Sequence, residues 1–316
     1  MKLLEAIVLS TTFSSTVSAL AFEGAVGCGA VATGGNSGTT VHVTTLAGWG
    51  AGSFRDVVSQ PNRMIVFGVG GYIRLGSAIS LSSNLTVNGQ SAPGDGVGIM
   101  GAEVSTSSRS NIIIRHLWML QGTLDPNTGS SAFNMGKTAN IILDHCSQFG
   151  AHVETGPSTF YRDLWYINNA VYNYQAAYTS GIAAGSFSHD VVNKYFISGP
   201  STSNPQDPYY QMASGRSVYA SGNFIDSNND GISNGNPHNT VGSSTKLKQP
   251  CASDSSDLAT ISAEDAVIYV LSNSGASLRD QLDIFVVDMV KSFGKTGQLY
   301  KSQNDTGVSN DRYGSL

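Results

Sequence analysis

Several residue groups in this chain have types and spacings suited to chemistry. Asp226-Ser-Asn228-Asn-Asp230-Gly231 sets oxygen-bearing side chains at alternate positions ahead of a glycine, the first half of a calcium-binding loop. The closing glutamate is absent, because the twelfth residue from Asp226 is Pro237. The same residue types also make plain Asn/Asp/Gly turns by bonding their own backbone. A structural calcium site and a bare turn both stay open, and either lies away from any reaction centre. Acid–imidazole neighbours occur at Asp144–His145 and His189–Asp190, and Arg115–His116 precedes them. A His–Asp dyad would need a nucleophile, and no GxSxG or similar signal accompanies these pairs. Polar corner residues chiefly satisfy backbone groups, so a structural role is expected. GGNSG and NGQSAPGDG lack a following Lys-Ser/Thr and read as turns rather than phosphate cradles.

Cysteine and asparagine chemistry is sparse. Cys28, Cys146 and Cys251 allow one disulfide, and no CxxC or Cys/His metal spacing occurs. Cys146 lies in a strand-like run and reads as a buried thiol, leaving Cys28 and Cys251 in loop-like sequence as the pair. Glycosylation sequons stand at Asn84 (NLT) and Asn304 (NDT). Asn304 sits in a polar tail. Asn84 opens a strand, where a hydrogen-bonded corner amide is an equal reading.

The elements that position these residues repeat. NLTVNGQ from Asn84, NIIIRHLWML from Asn111, NIILDHCSQF from Asn140, WYINNAVYNY from Trp165, HDVVNKYFIS from His189 and SVYASGNFID from Ser217 share one phrase, an apolar strand and a polar corner. Aligned on the corner, His116, His145, Asn169, Lys194 and Asn223 are 29, 24, 25 and 29 residues apart. A period in this range means stacked units that share a core. Short runs rich in Val, Ile and Tyr between Gly, Asn and Ser make each unit a strand. The fold expected is all-β, a right-handed parallel β-helix with a short N-terminal cap and a C-terminal helical tail. Ile113, Ile142, Ile167, Val192 and Val218 are the expected interior residues. SFRDVV reads as a capping helix begun by Ser53. Ser262 opens a tail helix through Leu271, and Ser277-Leu-Arg-Asp280 opens a second that stops at Gly294.

The division expected is a signal peptide over 1–19, a β-helix over 20–250 and a helical tail over 251–316 packed on the solenoid. MKLLEAIVLSTTFSSTVSAL carries a lysine, an apolar stretch and small residues at Val17-Ser18-Ala19, the pattern of a secretory signal. The mature chain is therefore expected to be soluble, extracellular and monomeric, with no membrane span. A net charge of −5 gives no general attraction for nucleic acid. An acidic polymer would need a local basic patch or a bridging cation.

AFEGAVGCGAVATGG, SFRDVV, IVFGVGGYIRL, LTVNGQSAPGDGVGI, NIIIRHL and NIILDHCS, in this order, resemble secreted pectate lyases of polysaccharide lyase family 1. QFGAHVETGPSTFYRDLW and FSHDVVNKYFISGP resemble a microbial branch of that family, and the likeness spans nearly the whole mature chain. The resemblance implies β-elimination of polygalacturonate or pectin with calcium as cofactor. It places His152, Glu154 and Arg162 in the cleft region. Glu154 then reads as a calcium ligand, Arg162 as a carboxylate binder and His152 as a sugar contact, against a structural reading of the same trio. Two family segments are absent. Ser147 runs straight into Gln148, where relatives carry a further coil, and Trp165 is followed at once by Tyr166, where relatives carry an HNRNP-like stretch. The family's proposed base is an arginine in that second segment, so no catalytic base is carried over. The expectation is a chain that binds polygalacturonate and forms little unsaturated product.

Overall fold

The computed structural model describes residues 20–25, 28–120, 132–135, 138–149, 164–178, 187–250, 260–274, 279–298, 300 and 304–308. Successive short strands return to the same three faces and pair in parallel with the coil before and after. Thr39–Val43, Arg63–Phe67, Leu85–Asn88, Ser110–Arg115 and Ala139–Asp144 form the first sheet. Gly71–Arg74, Val97–Met100, Trp118–Leu120 and Ser147–Phe149 form the second, and Ile79–Ser80, Val104–Ser105 and Phe133–Asn134 a short third. The chain is a parallel β-solenoid, as its repeats imply.

The repeats do not form one ladder. Leu164–Ile167, Phe187–Val192, Arg216–Ser221 and Thr245–Lys246 make a separate sheet, and Ala170–Tyr172, Tyr195–Ile197 and Phe224–Asp226 another, closed by an antiparallel Asn236–Pro237. Among the described residues nothing pairs Ala139–Asp144 with Leu164–Ile167. The break in pairing falls in the interval where the repeat spacing is shortest.

Inside each stack the alternation of strand side chains sets the core. Val43, Ile65, Val87, Ile112 and Ile114 point inward in the first stack, and Val191, Val218 and Ala220 in the second. This corrects the expected interior. Ile113 pairs with Ile142 on the outward face, Val192 is half-buried outside the core, and Val218 is inside; the side chain of Ile167 lies outside the described residues. A one-residue shift in a period-two pattern moves every side chain to the other face. Ile113 is nonetheless buried, because the N-terminal segment covers this face. Gly29 rests so closely on the carbonyl of Ile141 that a Cβ there would collide with it.

The corners are in left-handed backbone, which asparagine and histidine tolerate better than branched residues. His116 (φ 52°), His145 (φ 51°), Asn168 (φ 51°), Asn193 (φ 51°) and Gly222 (φ 65°) hold equivalent positions. In the second stack the turn therefore falls one residue before the Asn169, Lys194 and Asn223 of the sequence alignment. Two of those following residues turn inward. Lys194 and Asn223 are fully buried, with Asn223 Oδ1 accepting from the Lys194 amide and its Nδ2 donating to the Val191 carbonyl.

Among the described residues three α-helices complete the fold. Helix α1 (Phe54–Val57) is capped by Ser53, whose hydroxyl accepts from the Asp56 amide. Helix α2 (Ala263–Asn273) is capped by Ser262 in the same way, and α3 (Gln281–Lys291) by Asp280 rather than by Ser277. Gly294 (φ 94°) ends the last turn. Both tail helices lie on the outer, apolar face of the second-sheet strands. Leu282 joins Tyr72, Met100 and Trp118 on the first stack, while Ala263, Val267, Val290 and Phe293 join Tyr195 and Ile197 on the second. Helix α3 thus contacts both stacks. Among the described residues no helix is long and apolar enough to cross a membrane.

Candidate functional site

The described residues with the densest ionisable chemistry sit where the first stack ends. Arg115 and His116 close one strand, and Asp144 and His145 close the next strand in register with it. Arg115 Nε donates to Asp144 Oδ2 at 2.7 Å, and its guanidinium lies over the Phe22 ring at 3.9 Å. His145 Nδ1 lies 2.9 Å from Asp144 Oδ1, and the His116 and His145 rings stack with centroids 4.8 Å apart. Tyr269 of α2 places its hydroxyl 3.5 Å from His145 Nε2. Burial, then the neighbouring His145 and Arg115, hold the His116 pKa below the usual imidazole value. Burial pulls Asp144 upward, but His145 and Arg115 outweigh it and keep the carboxyl below its usual range. Burial pushes the next residue, Cys146, up to about 12, the inert thiol expected of it.

His189–Asp190 is not a corner of this kind. Both residues are buried inside the strand Phe187–Val192, with His189 Nδ1 against the Tyr178 hydroxyl. Burial also lowers the Lys194 pKa far below the usual ammonium value.

The Asp226 motif folds as a turn docked on the tail. Asp226 ends its strand and is buried, its Oδ2 accepting from the Asn234 amide at 3.4 Å. Asp230 Oδ1 accepts from the Ile232 amide at 2.8 Å, and its Oδ2 from the side-chain amides of Asn234 and Asn228 at 2.8 and 3.0 Å. Asn228 Oδ1 accepts from the Asp230 amide at 3.1 Å. Gly231 donates to the Phe293 carbonyl, and Lys295 packs on its α-carbon. Both Asp230 oxygens accept from N–H donors, with a lysine alongside. The loop therefore holds its shape as a self-bonded Asn/Asp/Gly turn.

His152, Glu154 and Arg162 lie outside the described residues, within 150–163 between the strand Ser147–Phe149 and the strand Leu164–Ile167. Asn304 opens a short 3-10 turn through Thr306, and Asn84 stands in an asparagine ladder. Tyr269 and Phe22 reach the corner from distant parts of the chain. No local sequence signal marks them.

No protein-family model matches the chain. It is 31% identical to "Probable pectate lyase C" of Emericella nidulans over 354 positions, covering 94% of this chain and 82% of that one. The protein of the same name in Aspergillus fumigatus is 30% identical over 368 positions, covering 97% and 86%. The chain belongs to the pectate lyase family. A solved structure of jun a 1, the major cedar-pollen allergen, matches with a TM-score of 0.50 at 14% identity, covering 80% of this pectate lyase homologue and 92% of the allergen. That likeness bears on the fold alone. The alignment to the Emericella pectate lyase has 354 positions and takes in 94% of this 316-residue chain, so about 57 of them have no counterpart here.

Proposed function

We propose that this chain is a secreted, monomeric polysaccharide lyase that cleaves polygalacturonate by β-elimination. The observation that carries this reading is the identity to proteins named pectate lyase across more than nine-tenths of the chain. A stack of parallel coils also gives the long outer face that an extended polymer requires. In the reaction a base takes the C5 proton of a uronate and the C4–O bond breaks. The electron pair forms the C4–C5 double bond, and the departing oxygen gains a proton. Negative charge gathers on the adjacent carboxylate, and neutralising it lowers the barrier. Calcium, when bound, supplies that neutralisation. His152, Glu154 and Arg162 are the proposed cleft residues, with Glu154 as metal ligand and Arg162 as a bidentate partner for a uronate carboxylate. They fall in the interval between the two stacks. In this reading residues 1–19 are the signal peptide, 20–250 the coil and 251–316 the tail on its flank.

A second reading has one structural motive. The ladder stops between Asp144 and Leu164 among the described residues, and about 57 positions of the alignment to the Emericella protein have no counterpart here. In this reading the coil holds polygalacturonate without turning it over. Loss of a catalytic group removes on the order of 4 kcal/mol of barrier lowering or more. One assay separates the two. The native chain is mixed with polygalacturonate and calcium at alkaline pH, and the ultraviolet absorbance of the 4,5-unsaturated product is followed. Growth of that absorbance, abolished by a chelator, supports the lyase. Retention on a polygalacturonate column with no absorbance supports the binder. Neither retention nor product overturns both.

A further inference from the structure

We infer that the corner formed by His116, Asp144 and His145 is a binding site for a transition-metal dication of the zinc type, fastening the last two coils of the first stack together. The three donor atoms lie within 4.8 Å of one another. They come from two successive coils, since His116 follows the strand Ser110–Arg115 and Asp144 with His145 closes the strand Ala139–Asp144. Asp144 divides its oxygens. Oδ2 is held by Arg115 at 2.7 Å, which fixes the carboxylate plane, and Oδ1 faces His145 Nδ1 at 2.9 Å. That nitrogen is buried and faces the carboxylate across an ion-pair contact. An imidazole nitrogen and a carboxylate oxygen 2.9 Å apart suit a shared cation at roughly 2.0–2.2 Å from each. A His116 nitrogen lies within 4.8 Å of the other two donors, and the broad imidazole torsion lets its ring turn toward them. Two imidazoles and one carboxylate select zinc or copper over calcium or magnesium. Arg115 acts as the outer-shell partner that orients the carboxylate. The placement also has a use. Ala139–Asp144 is the edge of its sheet among the described residues, and a metal joining it to its neighbour would secure that edge.

The test uses the full chain freed of metal with a chelator, then titrated with zinc ion alone by calorimetry and with copper(II) alone by electron paramagnetic resonance. One zinc per chain, a rise in melting temperature and copper nitrogen couplings from two imidazoles are expected. His116→Asn and His145→Asn keep residues that accept left-handed backbone, and each should weaken zinc binding at least tenfold. His42→Asn should leave it unchanged. Absence of saturable zinc binding by the native chain would overturn the site. So would zinc binding within threefold of native in the His116→Asn/His145→Asn double variant, its fold checked by circular dichroism. Should that variant not fold, a native copper spectrum without nitrogen coupling overturns the site by itself.

Discussion

The indole Nε1 of Trp118 donates to the carboxylate of Asp283 at 2.7 Å, joining residues 165 apart in the chain. Both side chains are buried, Trp118 on the outer face of the first stack and Asp283 in the first turn of α3. One turn earlier the Tyr72 hydroxyl donates to Asp280, the residue that caps the same helix. Two aromatic donors, from the coils on either side of the Val97–Met100 strand, therefore hold the start of α3. Its far end packs on the second stack through Val290 and Phe293. The helical tail spans both stacks and fastens them at the place where the strand ladder stops.

A double-mutant cycle measures that fastening. Trp118→Phe and Asp283→Ala should each destabilise the chain by about 2–4 kcal/mol, because a buried carboxylate or indole loses its partner. The coupling between them should be about 1–3 kcal/mol in urea unfolding. Additive losses would show that the bond contributes nothing beyond packing.

The register gives a second expectation. Ile114 points into the first-stack core and is almost fully buried, whereas Ile142 faces outward and is half-buried. Ile114→Ala should cost about 2–5 kcal/mol and Ile142→Ala about 1 kcal/mol or less. Equal losses would restore the opposite phase for this strand.

That pair also shows what the sequence made legible. The recurring strands and their period were enough for a β-solenoid, and the caps Ser53 and Ser262 were readable because a cap is a local pattern. The phase of the strands was not. NIIIRHL is apolar at three consecutive positions, so nothing within it says whether 113 or its neighbours face inward. The deciding fact is the N-terminal segment that covers Ile113, about 80 residues earlier. The corner cluster was half legible: Asp144–His145 and Arg115–His116 stood out as pairs, but their stacking depends on coil register, and Tyr269 comes from the tail. His152, Glu154 and Arg162 rest on family resemblance, and no described neighbour places them.

The Asn84 sequon should be unoccupied in the folded protein expressed through a secretory pathway. Its Nδ2, the atom that glycosylation would modify, donates to Asn62 Oδ1 at 3.0 Å, and its Oδ1 accepts from Asn111 at 2.8 Å. A glycan would remove one donor and break a ladder that supports left-handed corners at Asn62, Asn84 and Asn111. Peptide mass spectrometry should find Asn84 unmodified. Full occupancy there would mean that modification precedes formation of the ladder.

Alkaline stability should depend on Tyr174. Burial pushes this phenol up to about 12, against an ordinary value near 10, and its hydroxyl lies 3.4 Å from Ser198 Oγ in the second-stack core. The folded state favours the neutral form, so the folded pKa lies above the unfolded one. The stabilising contribution is therefore complete below about pH 10 and is lost as the pH rises through about 12. A gap of this size amounts to roughly 2–3 kcal/mol over the window. Tyr174→Phe removes the titrating group while keeping most of the ring packing. The variant should lose less stability than the native chain between pH 10 and 12, read as a convergence of their urea midpoints. Midpoints that fall in parallel across this window would place the alkaline sensitivity elsewhere in the chain.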